Sequence, residues 1–344
     1  MSQSTVVAFP RAKIVTFPIA EAPAVRRRTF SGSIILALLV AALGAIGFVL
    51  LRPMALYDLS TRAHLWAAGI NDTYASVDGY RLHYFVGGPT NGDTIVLIHG
   101  IGGQAQDWSN LMPQFARAGY QVYALDLLGY GKSDRPADAT YSVAQETRIV
   151  EDFLVQKHLQ RVNLMGWSMG GWIAARVALE RPEVVDRLVL YDSAGISFGM
   201  GVGPATFLPD TQKKLESLYN LLMPDPVHFQ AVVARDLIRR LQESSWIVER
   251  SVRSMLSGKD HLDGKLGSIR VPTLIVWGKQ DHLIPVSSGE KLHQQIHQSV
   301  LEIFDGCGHM APGQCAGTIG PETIQFLKSQ PGMKAQTMQI PAGE

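Results

Sequence analysis

The stretch Val162-Asn163-Leu164-Met165-Gly166-Trp167-Ser168-Met169-Gly170-Gly171-Trp172-Ile173-Ala174-Ala175-Arg176 constrains the chain most. An apolar run ends in Gly-x-Ser-x-Gly and passes directly into an alanine-rich segment of good helix formers. This pattern predicts a serine on a sharp turn between a strand and a helix. Such a turn is strained and brings helix and strand close together, so residues without bulky side chains are expected around Ser168; Gly166, Gly170 and Gly171 meet that need. Taken alone, the pentapeptide also fits a glycine-rich turn without chemistry, and the rest of the sequence has to decide.

Around this stretch the pattern alternates between strand and helix. Residues 73–77 and 80–86, separated by Asp78-Gly79, read as a hairpin with a type I′ turn. Residues 94–98, Thr-Ile-Val-Leu-Ile, form a continuous apolar run of the kind found in a central parallel strand buried on both faces. His99-Gly100-Ile101-Gly102-Gly103 follows, then a helix near residues 109–118, a strand at 121–125, a loop at 126–133 and a helix near 143–158. After the strand, turn and helix around Ser168 comes a further strand at 188–191. Strands alternating with helices imply right-handed crossovers and an α/β fold, here a mostly parallel, doubly wound sheet. Between residues 196 and 263 the alternation stops, and three helices (210–223, 227–242, 245–256) read as a helical cap over the carboxyl edge of the sheet. The sheet pattern resumes with a strand at 273–277, a helix near 287–297, a strand at 300–304 and a closing helix near 318–328. The core therefore spans 73–195 and 264–329, with 330–344 left as a loose C-terminal tail.

The N-terminal region has a different composition. Residues 1–32 hold five Lys or Arg against the single acid Glu21, with Pro10, Pro18 and Pro23 and no helical period, and read as a disordered basic tail. Residues 33–51 carry no charge and are long enough to cross a hydrocarbon core of ~30 Å as one transmembrane helix. Arg26-Arg27-Arg28 just before the run is expected to keep the N-terminus cytoplasmic and to send the bulk of the chain to the far, extracytoplasmic side. A cleaved signal peptide, which would release the domain as a secreted protein, and a buried helix are the alternatives. Residues 52–72, where Leu56, Leu59, Leu65 and Trp66 recur near helical spacing, read as a juxtamembrane helix resting on the membrane surface or packed on the domain.

Length and charge bound the rest. At 344 residues there is room for one large α/β domain, or two smaller ones, plus the extension. A net charge of +1 with 18% charged residues gives no field that argues for nucleic acid as a partner. The two cysteines are too few for a disulfide framework or a cysteine-rich zinc site, and the ten histidines contain no His-Glu-x-x-His pair, so neither metal nor cofactor is expected.

A serine hydroxyl is a weak nucleophile that needs a histidine to take its proton, and the histidine needs a carboxylate to hold its tautomer. Asp281, in Gly278-Lys279-Gln280-Asp281-His282, and His309, in Gly306-Cys307-Gly308-His309-Met310, both follow strands. The order Ser168, Asp281, His309 is that of one well-known triad arrangement, and all three fall at carboxyl ends of parallel strands. Asp281 also fits a turn or helix cap, His309 a surface loop, and Asp192 is a competing acid at the end of its own strand. Asp126 and Asp134 are expected to fix the loop after theirs. The oxyanion donors are expected to be the amides of Met169 and Ile101. The turn at His99, Gly100 and Gly102 bends the backbone toward the substrate, with His99 as its brace.

His-Gly-x-Gly-Gly, Asp126-Leu127-Leu128-Gly129-Tyr130-Gly131-Lys132-Ser133, Gly-Trp-Ser-Met-Gly-Gly, Gly-Lys-Gln-Asp and Gly-Cys-Gly-His together resemble the α/β-hydrolase fold family over about residues 74–328. That family contains esterases, monoacylglycerol lipases, meta-cleavage C–C hydrolases, epoxide hydrolases and haloalkane dehalogenases. The resemblance implies aspartate at the nucleophile position in the last two, so Ser168 leaves ester, thioester, amide or C–C hydrolysis. An apolar anchor ahead of such a domain is similar to membrane-anchored monoacylglycerol lipases and favours a hydrophobic or lipid-type ester. C–C hydrolysis of meta-cleavage type with the same triad is the alternative, and a non-catalytic scaffold on this fold is a third. The sequence departs from the resemblance at Trp167, where a smaller or polar residue is expected. Cys307 and Cys315 flank His309, and an exported domain allows a disulfide there, the alternative being two buried thiols.

Overall fold

The computed structural model describes residues 32–197, 201–329 and 336–341. Residues 1–47 and 48–344 form two units. Two helices come first, α1 (Gly32–Leu51) and α2 (Pro53–Ala67). The core then runs β1 (Asn71–Val77), β2 (Tyr80–Gly87), β3 (Thr94–Ile98), α3 (Met112–Arg117), β4 (Gln121–Leu125), α4 (Val143–Gln156), β5 (Val162–Trp167), α5 (Met169–Glu180) and β6 (Val185–Tyr191). The cap contributes α6 (Gln212–Leu222), α7 (Ala231–Glu243) and α8 (Ser245–Leu256). The chain closes with β7 (Thr273–Gly278), α9 (Val286–Gln295), β8 (Ser299–Phe304), α10 (Ala311–Gln314), α11 (Ala316–Lys328) and β9 (Gln336–Ile340).

Among the described residues the strands make one sheet in the order β1-β2-β4-β3-β5-β6-β7-β8-β9. The pairings β1 with β2 and β2 with β4 are antiparallel, and the remaining ladders are parallel. The continuous apolar runs are explained by the two-residue period of a strand. In β3, Val96 and Ile98 join the core on one face while Ile95 and Leu97 join the core on the other. β7 repeats this, with Ile275 and Trp277 on the first face and Leu274 and Val276 on the second. Each such side chain contributes ~1.5–3 kcal/mol by leaving water, so the central strands hold the sheet's position between its helical layers.

Three expectations need correction or refinement. The helix expected near 109–118 is a short 3₁₀ turn, Ala105–Trp108, followed by α3, because Pro113 fits only the first turn of a helix. The C-terminal segment expected to be a loose tail instead supplies β9, parallel to β8. Its alternation places Met338 and Ile340 against the core while Thr337 and Gln339 are exposed, a period too short to stand out beside polar neighbours. The segment after the apolar run is packed on the cap: Met54 N–H donates to Asp236 Oδ2 at 3.0 Å, and Arg240 pairs with Asp58 at 2.8 Å. α2 still leaves Leu56, Leu59 and Trp66 exposed. Among the fully described residues no helix is long and apolar enough to cross a membrane. The basic tail read at residues 1–32 lies, but for Gly32, outside the described residues.

One buried acid supports the loop after β4. Glu146, fully buried in α4, accepts the Leu128 N–H at 3.2 Å through Oε2, while its Oε1 is unpaired among the described residues. Burial pushes its carboxyl from 4.5 up to about 8, against the smaller opposing effect of the Leu128 bond. The folded chain therefore keeps a proton that the unfolded chain loses, so this contribution is complete below about pH 4.5 and falls away as pH rises toward 8. Glu146→Gln, which mimics the protonated acid, should leave stability unchanged near pH 4 and raise it by a few kcal/mol at pH 8, at ~1.4 kcal/mol per pH unit spanned. Urea unfolding midpoints at the two pH values measure this, and an equal effect at both would contradict it.

Candidate active site

The turn after β5 carries Ser168 with φ 56° and ψ −120°, outside the conformations an L-residue prefers. The turn holds because both sides grip it. Ser168 N–H donates to Tyr191 O at 3.0 Å, and Ser168 O accepts from Gly171 at 3.0 Å and from Ala194 at 3.1 Å. The flanking glycines are required by close approach: a Cβ on Gly166 would run into the Gly170 carbonyl, and one on Gly170 into the Ile98 carbonyl. The predicted strand, serine turn and helix are thus all present.

The loops after β7 and β8 bring the other two residues to the serine. His309 Nε2 lies 3.0 Å from Ser168 Oγ, and His309 Nδ1 lies 2.7 Å from Asp281 Oδ2. Asp281 Oδ1 accepts the N–H groups of Leu283 and Ile284, each at 2.8 Å, which aims its second oxygen at the histidine. All three side chains are buried, and Ser168 and His309 line a cavity of about 540 Å³. The serine, histidine and carboxylate thus form one hydrogen-bonded row, the geometry that a serine triad requires.

The competing residues fall elsewhere. Asp192, fully buried, accepts the Gly278 N–H at 2.7 Å and so tethers β6 to the strand that leads to Asp281. Burial first, and then the charge of Asp281, pushes its carboxyl well above the usual range. His282 is exposed. His99 is the expected brace: Nδ1 donates to Gly100 O at 2.7 Å and Nε2 accepts the Leu127 N–H at 3.1 Å. Burial pulls its pKa down, which suits this neutral tautomer and leaves neither ring nitrogen for catalysis. Gly102 takes φ +70°, and a Cβ on Gly100 would come 3.0 Å from Ser168 Cβ. Ile101, next in the turn, lines the same cavity as Ser168. Asp126 fixes this region as expected, accepting from Ala105 N–H at 2.6 Å, Lys132 N–H at 2.8 Å and His83 Nδ1 at 2.7 Å. Asp134 accepts the Arg81 N–H at 2.8 Å.

Sequence reasoning missed the role of Trp167. Its Nε1–H donates to the backbone oxygen of His309 at 2.6 Å, so the residue before Ser168 holds the loop that carries His309. The only trace in the sequence was an unexpectedly large residue at this position. The same loop is closed by a disulfide between Cys307 and Cys315, whose Cα atoms are 6.2 Å apart, which decides between the two alternatives for these cysteines. Gly308 N–H also donates to Gln314 Oε1 at 3.2 Å inside that loop.

The comparisons with known proteins agree with this geometry. A family model for the alpha/beta hydrolase fold matches residues 93–225 and 224–313. The chain belongs to the α/β-hydrolase family. It is 30% identical over 257 residues to a 2-hydroxy-6-oxononadienedioate/2-hydroxy-6-oxononatrienedioate hydrolase of Klebsiella pneumoniae subsp. pneumoniae, covering 68% of this chain and 87% of the relative. A hydrolase of the same name from Burkholderia vietnamiensis is 30% identical over 276 residues, covering 72% and 91%. Among solved structures, a membrane phospholipase A described as a bacterial virulence factor superposes with a TM-score of 0.76 at 27% identity, over 86% of this chain and 96% of that one.

Trp167→Phe keeps an aromatic ring and removes the bond to His309. Loss of one buried hydrogen bond, at ~1–1.5 kcal/mol, should lower kcat about tenfold through looser placement of the base. Steady-state kinetics on any turned-over substrate read the change, and an unaltered kcat would remove Trp167 from the positioning of His309.

Proposed function

We propose that the protein is a serine hydrolase that cleaves carboxylic esters with a hydrophobic acyl group, working from a membrane anchor. Ser168 Oγ attacks the carbonyl carbon while His309 Nε2 takes the hydroxyl proton, and Asp281 holds the imidazolium that forms. The amides of Ile101 and Met169 stabilise the oxyanion. His309 then gives its proton to the departing alcohol, and water, activated by the same base, releases the acid from Ser168.

The observation that carries the ester reading is the lining of the cavity at Ser168. Phe207, Leu218, Leu222, Leu237, Leu241 and Val248 from the cap and Leu283 from the core give it apolar walls. The cap arginines at its edge are neutralised within the protein, Arg239 by Asp236 and Glu243, and Arg240 by Asp58. Such a site suits an apolar chain better than a dianion. The solved membrane phospholipase supports an amphiphilic ester.

The second reading is C–C hydrolysis of meta-cleavage type. The names of the curated relatives favour it over the ester reading. The exposed Arg135, which lines the cavity and donates to Gly131 O at 3.1 Å, is the group such an acidic substrate would use. A fluorophosphonate probe should label the wild type and not Ser168→Ala. Parallel rates on p-nitrophenyl esters of increasing chain length and on a meta-cleavage dienedioate separate the two readings. Faster turnover of the dienedioate would replace the first by the second.

The anchor reading rests on the uncharged residues 33–51 behind Arg26-Arg27-Arg28 and on the exposed Leu56, Leu59 and Trp66 of the helix that follows. It places the N-terminus in the cytoplasm and the catalytic domain on the other side. The full chain should stay with membranes after alkaline carbonate washing, and a chain starting at residue 52 should be released. Release of the full chain would count against an anchor.

A further inference from the structure

Three acids line the cavity at Ser168: Asp58, Asp107 and Glu243. Two of them have a cation at hand, Asp58 pairing with Arg240 at 2.8 Å and Glu243 with Arg239. Asp107 has no ion-pair partner among the described residues. It lies in the 3₁₀ turn Ala105–Trp108, directly after the glycine turn that carries Ile101. Its Oδ2 accepts the Gln104 N–H at 2.8 Å, and a Cβ on Gly103 would come 2.7 Å from the same oxygen, so the carboxyl group rests against the glycine turn. Its Oδ1 has no hydrogen-bond partner among the described residues, and the residue is only half-buried.

The groups around Asp107 do not neutralise it. Asp126 from the loop after β4 and Asp58 from α2 are acids, and Tyr219 from α6 is a phenol. The neighbouring strands add His83 of β2, whose two ring nitrogens are taken by Asp126 and Asp72, and the neutral His99 after β3; α10 brings no titratable group. Burial pushes the Asp107 carboxyl from 3.8 up to about 7 against the Gln104 bond, and the charges of Asp126 and Asp58 add to the rise. Burial, and then the charge of Asp107, push the Tyr219 phenol up to about 12, so it stays neutral. Asp107 therefore takes its charge near neutral pH, beside the reacting group and without a counter-ion.

We infer that Asp107 is a specificity-determining residue, which makes this site select uncharged substrates over those that bring a carboxylate into the cavity. This rests on the ester reading above and narrows it to neutral esters. A carboxylate held in a cavity of about 540 Å³ stays within about one Debye length, ~8–10 Å, of Asp107, where like charges repel with little screening. The oxyanion at Ile101 and Met169 is common to every substrate, so its own repulsion from Asp107 cancels when two esters are compared. A carboxylate carried by only one of them does not cancel.

The test uses the full chain in detergent micelles. Dimethyl suberate and monomethyl suberate differ in whether the far end is a methyl ester or a carboxylate, and acid release from each is followed between about pH 6 and 8.5, where that carboxylate stays ionised. Protonation of His309 affects both esters alike, so the ratio of their kcat/KM values reports on the rest of the cavity. In wild type the preference for the diester should rise about tenfold across this range, with its midpoint near 7. Asp107→Asn, which keeps an oxygen for the Gln104 N–H, should hold the ratio at its low-pH value throughout. A wild-type ratio that does not change with pH, a measurement that needs no variant to fold, would overturn the inference, as would a rise that persists in Asp107→Asn. Wild type that cleaves neither ester would overturn the ester reading. The ratio is then taken from the rates at which an alkyl fluorophosphonate and its carboxylate-ended counterpart inactivate Ser168, and the same outcomes decide the role of Asp107.

Discussion

Ser168 adopts a backbone conformation, φ 56° and ψ −120°, that an L-residue keeps only where its surroundings over-determine it. Strain of this kind costs on the order of 1–3 kcal/mol, and here the bonds to Tyr191, Gly171 and Ala194 offset it. Those partners belong to the end of β6, the first turn of α5 and the segment after β6. The position of Ser168 therefore depends on the centre of the sheet being assembled, and the apolar runs of β3, β5, β6 and β7 assemble it by burying both faces. The serine turn follows β5 at the centre of the sheet, and there Oγ lies 3.0 Å from His309 Nε2.

Around this point a set of buried polar groups fixes the loops that the sheet cannot fix. Asp126 ties the glycine turn to the loop after β4, and His83 joins that acid to Asp72 on β1. Burial pulls the His83 pKa down, but the bonds and charges of Asp126 and Asp72 outweigh it and hold it above the usual value. Asp192 and Glu146 are acids kept in apolar surroundings where the charged form is disfavoured. Asp192 joins positions 86 residues apart, and Glu146 joins α4 to the loop 18 residues before it. The cap is joined to the same region by Tyr130 Oη and Ser251 Oγ at 2.8 Å.

Much of this was legible in the residues. Gly166 and Gly170 announced the close packing of strand on helix, and His309 and Asp281 were found from their places after strands. What escaped had no local pattern. Trp167 was visible as an odd residue, yet its bond to His309 joins positions 142 residues apart. β9 escaped because five residues of alternation are a weak pattern until β8 offers them a ladder.

The sequence by itself determined the order of most strands and helices, the serine turn and the candidates Ser168, Asp281 and His309, with Asp192 left as a rival acid. These depend on short-range periodicity and on steric limits that act within a few residues. Only the tertiary structure decided that Asp281, not Asp192, holds His309, and that Cys307 joins Cys315. Those outcomes depend on distances and on the removal of water between segments far apart in the chain, and neither is encoded in the spacing of neighbours.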